Sequence, residues 1–96
     1  MGSIAQVILA QLGGSRFLAM TGASKLLALD NGLQFALPLP SAPNKIRITL
    51  DPTDTYTVEA FRVSKFEVKN RGTVEDVYAE DLRWVFTQLT GLETSL

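Results

Sequence analysis

The pair Asn31-Gly32, set between the apolar stretches 25–30 and 33–37, constrains this chain more than any other local feature. Two-residue turns with both central residues at positive φ match the twist of an antiparallel pair, and Asn-Gly suits them. The spacing therefore predicts a hairpin whose second strand sends Leu33, Phe35 and Leu37 to one face and Gln34 and Ala36 to the other. Pro38, Pro40 and Pro43 then break the ladder, which predicts a loop over 38–44.

Lys45–Leu50 alternates most cleanly, with Ile46, Ile48 and Leu50 on one face and Lys45, Arg47 and Thr49 on the other, as a half-solvated antiparallel strand requires. Asp51-Pro52-Thr53-Asp54 reads as a turn, and the β-branched and aromatic stretch 55–63 as the partner strand. Phe66 and Val68 suggest a further short strand before a turn at Asn70-Arg71-Gly72.

Helices are expected at both ends. Ser3 with Gln6 three residues on forms a capping box ahead of Ile4, Val7, Ile8 and Leu12, and Gly13-Gly14 stops that helix. Residues 17–21 then read as a short strand. A closing helix is expected from Thr73 as N-cap, with Glu75 and Asp76 in its first turn and an apolar stripe of Val74, Val77, Tyr78, Leu82, Val85, Phe86 and Leu89 ending at Gly91. The expected architecture is α+β: an antiparallel sheet of four to six short strands with an N-terminal and a C-terminal helix packed on one face, in one domain over 1–96.

The chain contains no histidine and no cysteine. That removes the usual general base, the thiolate nucleophile, disulfides and most zinc sites, and points to a protein that is not an enzyme and carries no cofactor or metal. No apolar run approaches a membrane span, and no basic-then-apolar leader is visible, so a cytoplasmic setting away from membranes is the expectation. The net charge of -1 conceals an asymmetry: residues 1–71 carry eight basic groups and five acids, residues 72–96 five acids and Arg83 alone. The plainer reading is that acids collect at a helix start; the alternative is attraction within a molecule or between copies.

Several stretches are candidates for chemistry, each with a structural reading beside it. Gly13-Gly14-Ser15-Arg16 offers backbone N–H groups and a guanidinium to a phosphate, but lacks the lysine of a P-loop and reads first as a helix stop; Met20-Thr21-Gly22-Ala23 reads first as a tight turn. Asp51 and Asp54 with Glu59 are too few oxygens for a cation site, and Ser15, Ser24 and Ser64 show no paired base. Two surfaces remain. Arg62, Lys65, Lys69 and Arg71, joined by Lys45 and Arg47, form a basic sheet face suited to phosphates, with Phe61 or Phe66 available for stacking, against the plainer reading of a solvated face diluted by Glu59 and Glu67. Trp84, with Val77, Glu80 and Gln88, suits a partner interface on the last helix, against the equally able reading of an indole packed on the sheet edge.

The segments Gln11-Leu12-Gly13-Gly14-Ser15-Arg16-Phe17-Leu18-Ala19-Met20-Thr21-Gly22-Ala23, Ile48-Thr49-Leu50, Asp54-Thr55-Tyr56, Val58-Glu59, Val77-Tyr78-Ala79, Val85-Phe86-Thr87 and Thr90-Gly91-Leu92 resemble a group of small uncharacterised proteins of phages and mobile elements. Thr57, Ala60, Phe61 and the proline loop depart from that pattern. The resemblance implies an accessory protein acting on a host or phage macromolecule. The leading expectation is a binding protein that self-associates or contacts a host or phage protein; the alternative is a nucleic-acid accessory using the basic face.

Overall fold

The computed structural model describes residues 3–38 and 43–92; most of the proline loop expected over 38–44, and Glu93, lie outside them. Three helices, α1 (Ile4–Leu12), α2 (Ser15–Thr21) and α3 (Leu82–Thr90), accompany five strands, β1 (Ser24–Leu29), β2 (Gly32–Ala36), β3 (Lys45–Leu50), β4 (Tyr56–Val63) and β5 (Val68–Val77). The strands form one antiparallel sheet in the order β1-β2-β3-β4-β5, a meander in which each strand pairs with its neighbours in sequence. The α+β architecture expected from the sequence is thus the observed one.

Period-two alternation divides the sheet residues between two faces. Leu33, Ile48, Val58 and Val74 lie in one row across the strands, and Phe35, Ile46, Ala60 and Gly72 in the next. The helices cover this face. Ala5, Ile8 and Leu12 of α1 and Leu82, Val85 and Phe86 of α3 are buried in the same core as Phe35, Ile46, Ile48 and Val58. Phe17 joins the two helices at the centre: its ring meets Phe35 at 5.4 Å and Phe86 at 5.1 Å, both edge to face. Such pairs contribute about 0.5–1.5 kcal/mol each beyond the area they bury.

The first helix begins as its sequence dictates. Ser3 Oγ accepts from the Gln6 N–H at 3.1 Å while the Ser3 N–H donates to Gln6 Oε1 at 3.2 Å. Gly13 and Gly14, at φ 129° and 62°, then turn the chain straight into α2. The strand expected over 17–21 is therefore a helix. Five residues are too few to separate the two periods, and packing Phe17 between Phe35 and Phe86 decides the outcome.

The first hairpin is present, but its turn is shifted by one residue. Leu29 pairs with Gly32, leaving Asp30 and Asn31 as the two-residue loop, and neither has a positive φ. Gly32 is needed for a different reason: a Cβ there would run into the Ile48 carbonyl oxygen of the adjacent strand. Glycine admits the close approach of β3 rather than an unusual turn.

Two further expectations are corrected on the C-terminal side. The turn expected at Asn70-Arg71-Gly72 is mid-strand: the β4–β5 hairpin closes earlier, where the Ser64 N–H donates to the Glu67 carbonyl at 2.9 Å. Asn70 Oδ1 accepts from the Gly72 N–H at 2.9 Å, so its turn-forming tendency produces a bulge in which Arg71 is the extra residue between the pairs Phe61–Asn70 and Ala60–Gly72. The last helix does not begin at Thr73. Val74 pairs with Val58 and Val77 with Tyr56, so the chain stays extended to Val77, passes through a single 3-10 turn at Ala79–Asp81, and enters α3 at Leu82. Glu75 and Asp76 lie opposite Thr57 in a second bulge, with Asp76 at φ 56°, instead of in a first helical turn. Valines spaced three apart fit a helix stripe and a bulged strand equally well.

Candidate functional site

The sheet face opposite the helices carries its own rows. Ser24, Ala36, Lys45, Phe61 and Asn70 form one; Leu27, Gln34, Arg47, Glu59 and Thr73 form the next. Arg47 is fixed there. Its Nε and Nη2 donate to Gln34 Oε1 at 3.2 and 3.1 Å, and its guanidinium lies 5.3 Å from the centroid of the Phe61 ring. Where Gln34, Asn44 and Lys45 meet Lys25 and Val63, a cleft of about 430 Å³ opens with Phe35, Ala36 and Leu37 contributing apolar wall.

An antiparallel meander returns its connections alternately to two ends of the sheet, and in this chain the two ends carry opposite charge. At one end lie the Asp30-Asn31 loop, the turn after Leu50 and the exit from β5, bringing Asp30, Asp51, Asp54, Glu75 and Asp76 together with Glu80 and Asp81 of the 3-10 turn. Toward the other lie the start of β1, the start of β3 and the β4–β5 hairpin, with Lys25, Lys45, Arg47, Arg62, Lys65, Lys69 and Arg71 against Glu59 and Glu67. All six basic residues singled out from the sequence lie toward this end, but not on the single sheet face expected: Lys45 and Arg47 alternate with the buried Ile46 and Ile48, whereas Arg62, in register with Lys69, follows Val58 and Ala60 on the helix side. Lys25, Gln34 and Asn44 were not singled out; Lys25 falls in the first hairpin by sequence, and only the β1–β2–β3 pairing brings it beside Lys45.

The β4–β5 hairpin extends past the start of β3, and Asn44 secures its root. Asn44 Nδ2 donates to the Val63 carbonyl at 2.9 Å and Oδ1 accepts from the Val63 N–H at 2.7 Å, so one side-chain amide stands in for a strand residue. Just before Val63 the register places Arg62 opposite Lys69. Lys69 Nζ also lies 3.5 Å from Glu67 in an exposed pair, a contact of little energetic weight. At the turn itself Phe66 is 91% exposed, with Lys65 Nζ 5.7 Å from its ring centroid.

On the helical side Trp84 is 66% exposed, with Glu80 one turn before it and Gln88 one turn after, both exposed. Val77 does not join them: it is buried at the end of β5 beside Tyr56, because the chain is still a strand there. A notch of about 320 Å³ lies next to Glu80 and Arg83, walled by Ala10, Gln11 and Ala79, and Gln11 Oε1 is buried without a hydrogen-bond partner among the described residues.

The remaining sequence candidates are accounted for by local structure. Gly13-Gly14-Ser15-Arg16 is the α1–α2 junction, and Met20-Thr21-Gly22-Ala23 is the end of α2, where Thr21 Oγ1 donates to the Phe17 carbonyl and accepts from the Ala23 N–H. Asp51 Oδ2 accepts from Thr57 Oγ1 at 2.7 Å and the Asp54 N–H donates to the Asp51 carbonyl at 3.0 Å, an ordinary turn network. Ser64 Oγ donates to the Glu67 carbonyl at 3.2 Å, and Ser15 and Ser24 start α2 and β1. Among the described residues no three acidic side chains are grouped to hold a metal, and no helix is long and apolar enough to cross a membrane.

Compared with known proteins, the chain matches no family model, no curated protein and no solved structure.

Proposed function

We propose that this protein is a non-enzymatic binding module of phage or mobile-element origin that engages nucleic acid through the cationic end of its sheet. One observation carries the reading: cations from four of the five strands and the last hairpin collect at one end, while most of the carboxylates collect at the other. A molecule whose net charge is -1 has no general attraction for a polyanion. A polar distribution supplies a local one, and it orients the approach. Lysine and arginine that neutralise phosphates release counterions, so binding weakens steeply with salt.

Fluorescence anisotropy with labelled oligonucleotides tests this. Binding is expected at low salt, with the affinity falling linearly in log-log form as salt rises. The triple variant Arg62→Ala, Lys65→Ala, Lys69→Ala should lower affinity by about tenfold or more and flatten the salt slope, since each phosphate contact contributes roughly 0.7–0.9 to it. Glu80→Gln with Asp81→Asn, at the far end, should leave binding unweakened. No binding at low salt rules the reading out.

A second reading, contact with another copy or with a host or phage protein, draws its support from Trp84. A largely exposed indole on α3 is the kind of anchor that protein interfaces bury. Size-exclusion chromatography with light scattering should then report an assembly that Trp84→Ala weakens; a strict monomer removes the self-association form of this reading.

A further inference from the structure

We infer that the β4–β5 turn makes this module selective for single-stranded nucleic acid, with Phe66 as the residue on which a base stacks. The inference rests on the nucleic-acid reading above and names the form of ligand.

Phe66 is 91% exposed at the tip of a hairpin that extends past β3. A turn position is readily filled by a small polar residue, and a fully solvated phenyl ring forgoes the burial that otherwise stabilises it. The turn is held in place: the Ser64 N–H and Oγ both donate to the Glu67 carbonyl, and Asn44 pins Val63 at the root. The ring is therefore presented from an ordered support, which limits the entropy lost on binding.

Its surroundings fit a phosphodiester. Lys65 Nζ stands 5.7 Å from the ring centroid, near enough to meet the phosphate of a nucleotide stacked there. Arg62 and Lys69 lie in register across the ladder just inside the turn, which places two further cations on the hairpin. The cleft bearing Lys25 and Lys45 borders Val63, so the strand has cationic ground to follow from the tip onto the sheet. A lipid surface would use the tip but not that cleft.

Single strands are favoured by the chemistry of stacking. Phe61, the other aromatic at this end, is part-buried with Arg47 over its ring, whereas Phe66 is 91% exposed and keeps open the face that Lys65 does not approach. Every base of a single strand can offer its own open face, whereas a duplex must first unstack.

Anisotropy with one labelled sequence, presented single-stranded and as its duplex, separates the possibilities. The single strand should bind more tightly, and Phe66→Ala should cost about tenfold or more on it, as loss of a stacked base does, while duplex affinity and the salt slope stay the same. Phe66→Trp should restore binding. Because the side chain is exposed, the thermal melt of Phe66→Ala should match that of the parent and exclude a folding defect. A 2-aminopurine probe in the strand should be quenched by the parent and not by Phe66→Ala. Equal affinity for strand and duplex, or an unchanged Phe66→Ala, overturns the inference while leaving salt-sensitive binding, and so the module reading, in place. Failure to bind any oligonucleotide overturns both. Phe66-dependent sedimentation with phosphatidylserine vesicles, without oligonucleotide binding, also overturns both and assigns the tip to a lipid surface.

Discussion

Asn44 and Val63, nineteen residues apart, are joined by two hydrogen bonds, one in each direction between a side-chain amide and a backbone peptide unit. This clasp lies where β3 has not yet begun and β4 is about to leave the sheet. It couples the root of the cationic hairpin to the loop that precedes Lys45.

Asn44→Ala should therefore act on the hairpin more than on the core. Two part-buried bonds are lost, so global stability should fall by about 1–2 kcal/mol, and the amides of 63–68 should exchange faster than those of β2. Asn44→Asp keeps the acceptor for the Val63 N–H but loses the donor to its carbonyl, and should fall between parent and Ala. Hydrogen exchange read by mass spectrometry or NMR checks both.

The aromatic centre should be the costliest place to cut. Phe17 and Phe86 are both fully buried, and Phe17→Ala or Phe86→Ala should each destabilise by about 3–5 kcal/mol in chemical denaturation. Because each ring is the other's neighbour at 5.1 Å, the double variant should lose less than the sum.

Two glycines of the sheet should respond differently to the same methyl group. Gly32→Ala drives a Cβ into the Ile48 carbonyl, which belongs to the backbone and cannot rotate away, so a loss of about 1–3 kcal/mol or more is expected. At Gly72 the new Cβ would meet Leu89 Cδ2 at 2.9 Å, the end of a flexible side chain, and the loss should stay below about 1 kcal/mol. Paired thermal melts decide the ordering.

Trp84→Ala should leave stability within about 0.5 kcal/mol of the parent, since the indole is mostly in water. Urea denaturation checks this. A larger loss would show the ring packing on α3 and its surroundings rather than waiting for a partner.

The sequence was most legible where one period dominated and one face was buried. Lys45–Leu50 alternates as it reads, and the capping box of Ser3 and Gln6 forms as its spacing implies. The second half of the chain was harder because the bulges at Arg71 and at Glu75-Asp76 reset the period inside a single strand, which made its end look like the start of a helix. The basic residues were legible as a group, yet their separation from the acids was not. Dividing the chain at residue 72 sorts charge by order along the sequence, whereas the folded molecule sorts it by which turn of the meander a residue occupies. Asn44 gave no signal at all, since its partner is fixed only by the strand pairing.

Irregularity recurs on both outermost strands of the sheet. Lys25 and Leu26 together oppose Phe35 on one side, with Lys25 at φ 54°, and β5 is interrupted twice on the other. A kinked border with lysine on it is a poor template for a sixth strand. Leu26 and Leu27 can thus remain in water without inviting neighbouring molecules to zip into a fibril, and concentrated solutions should stay clear so long as those borders keep their kinks.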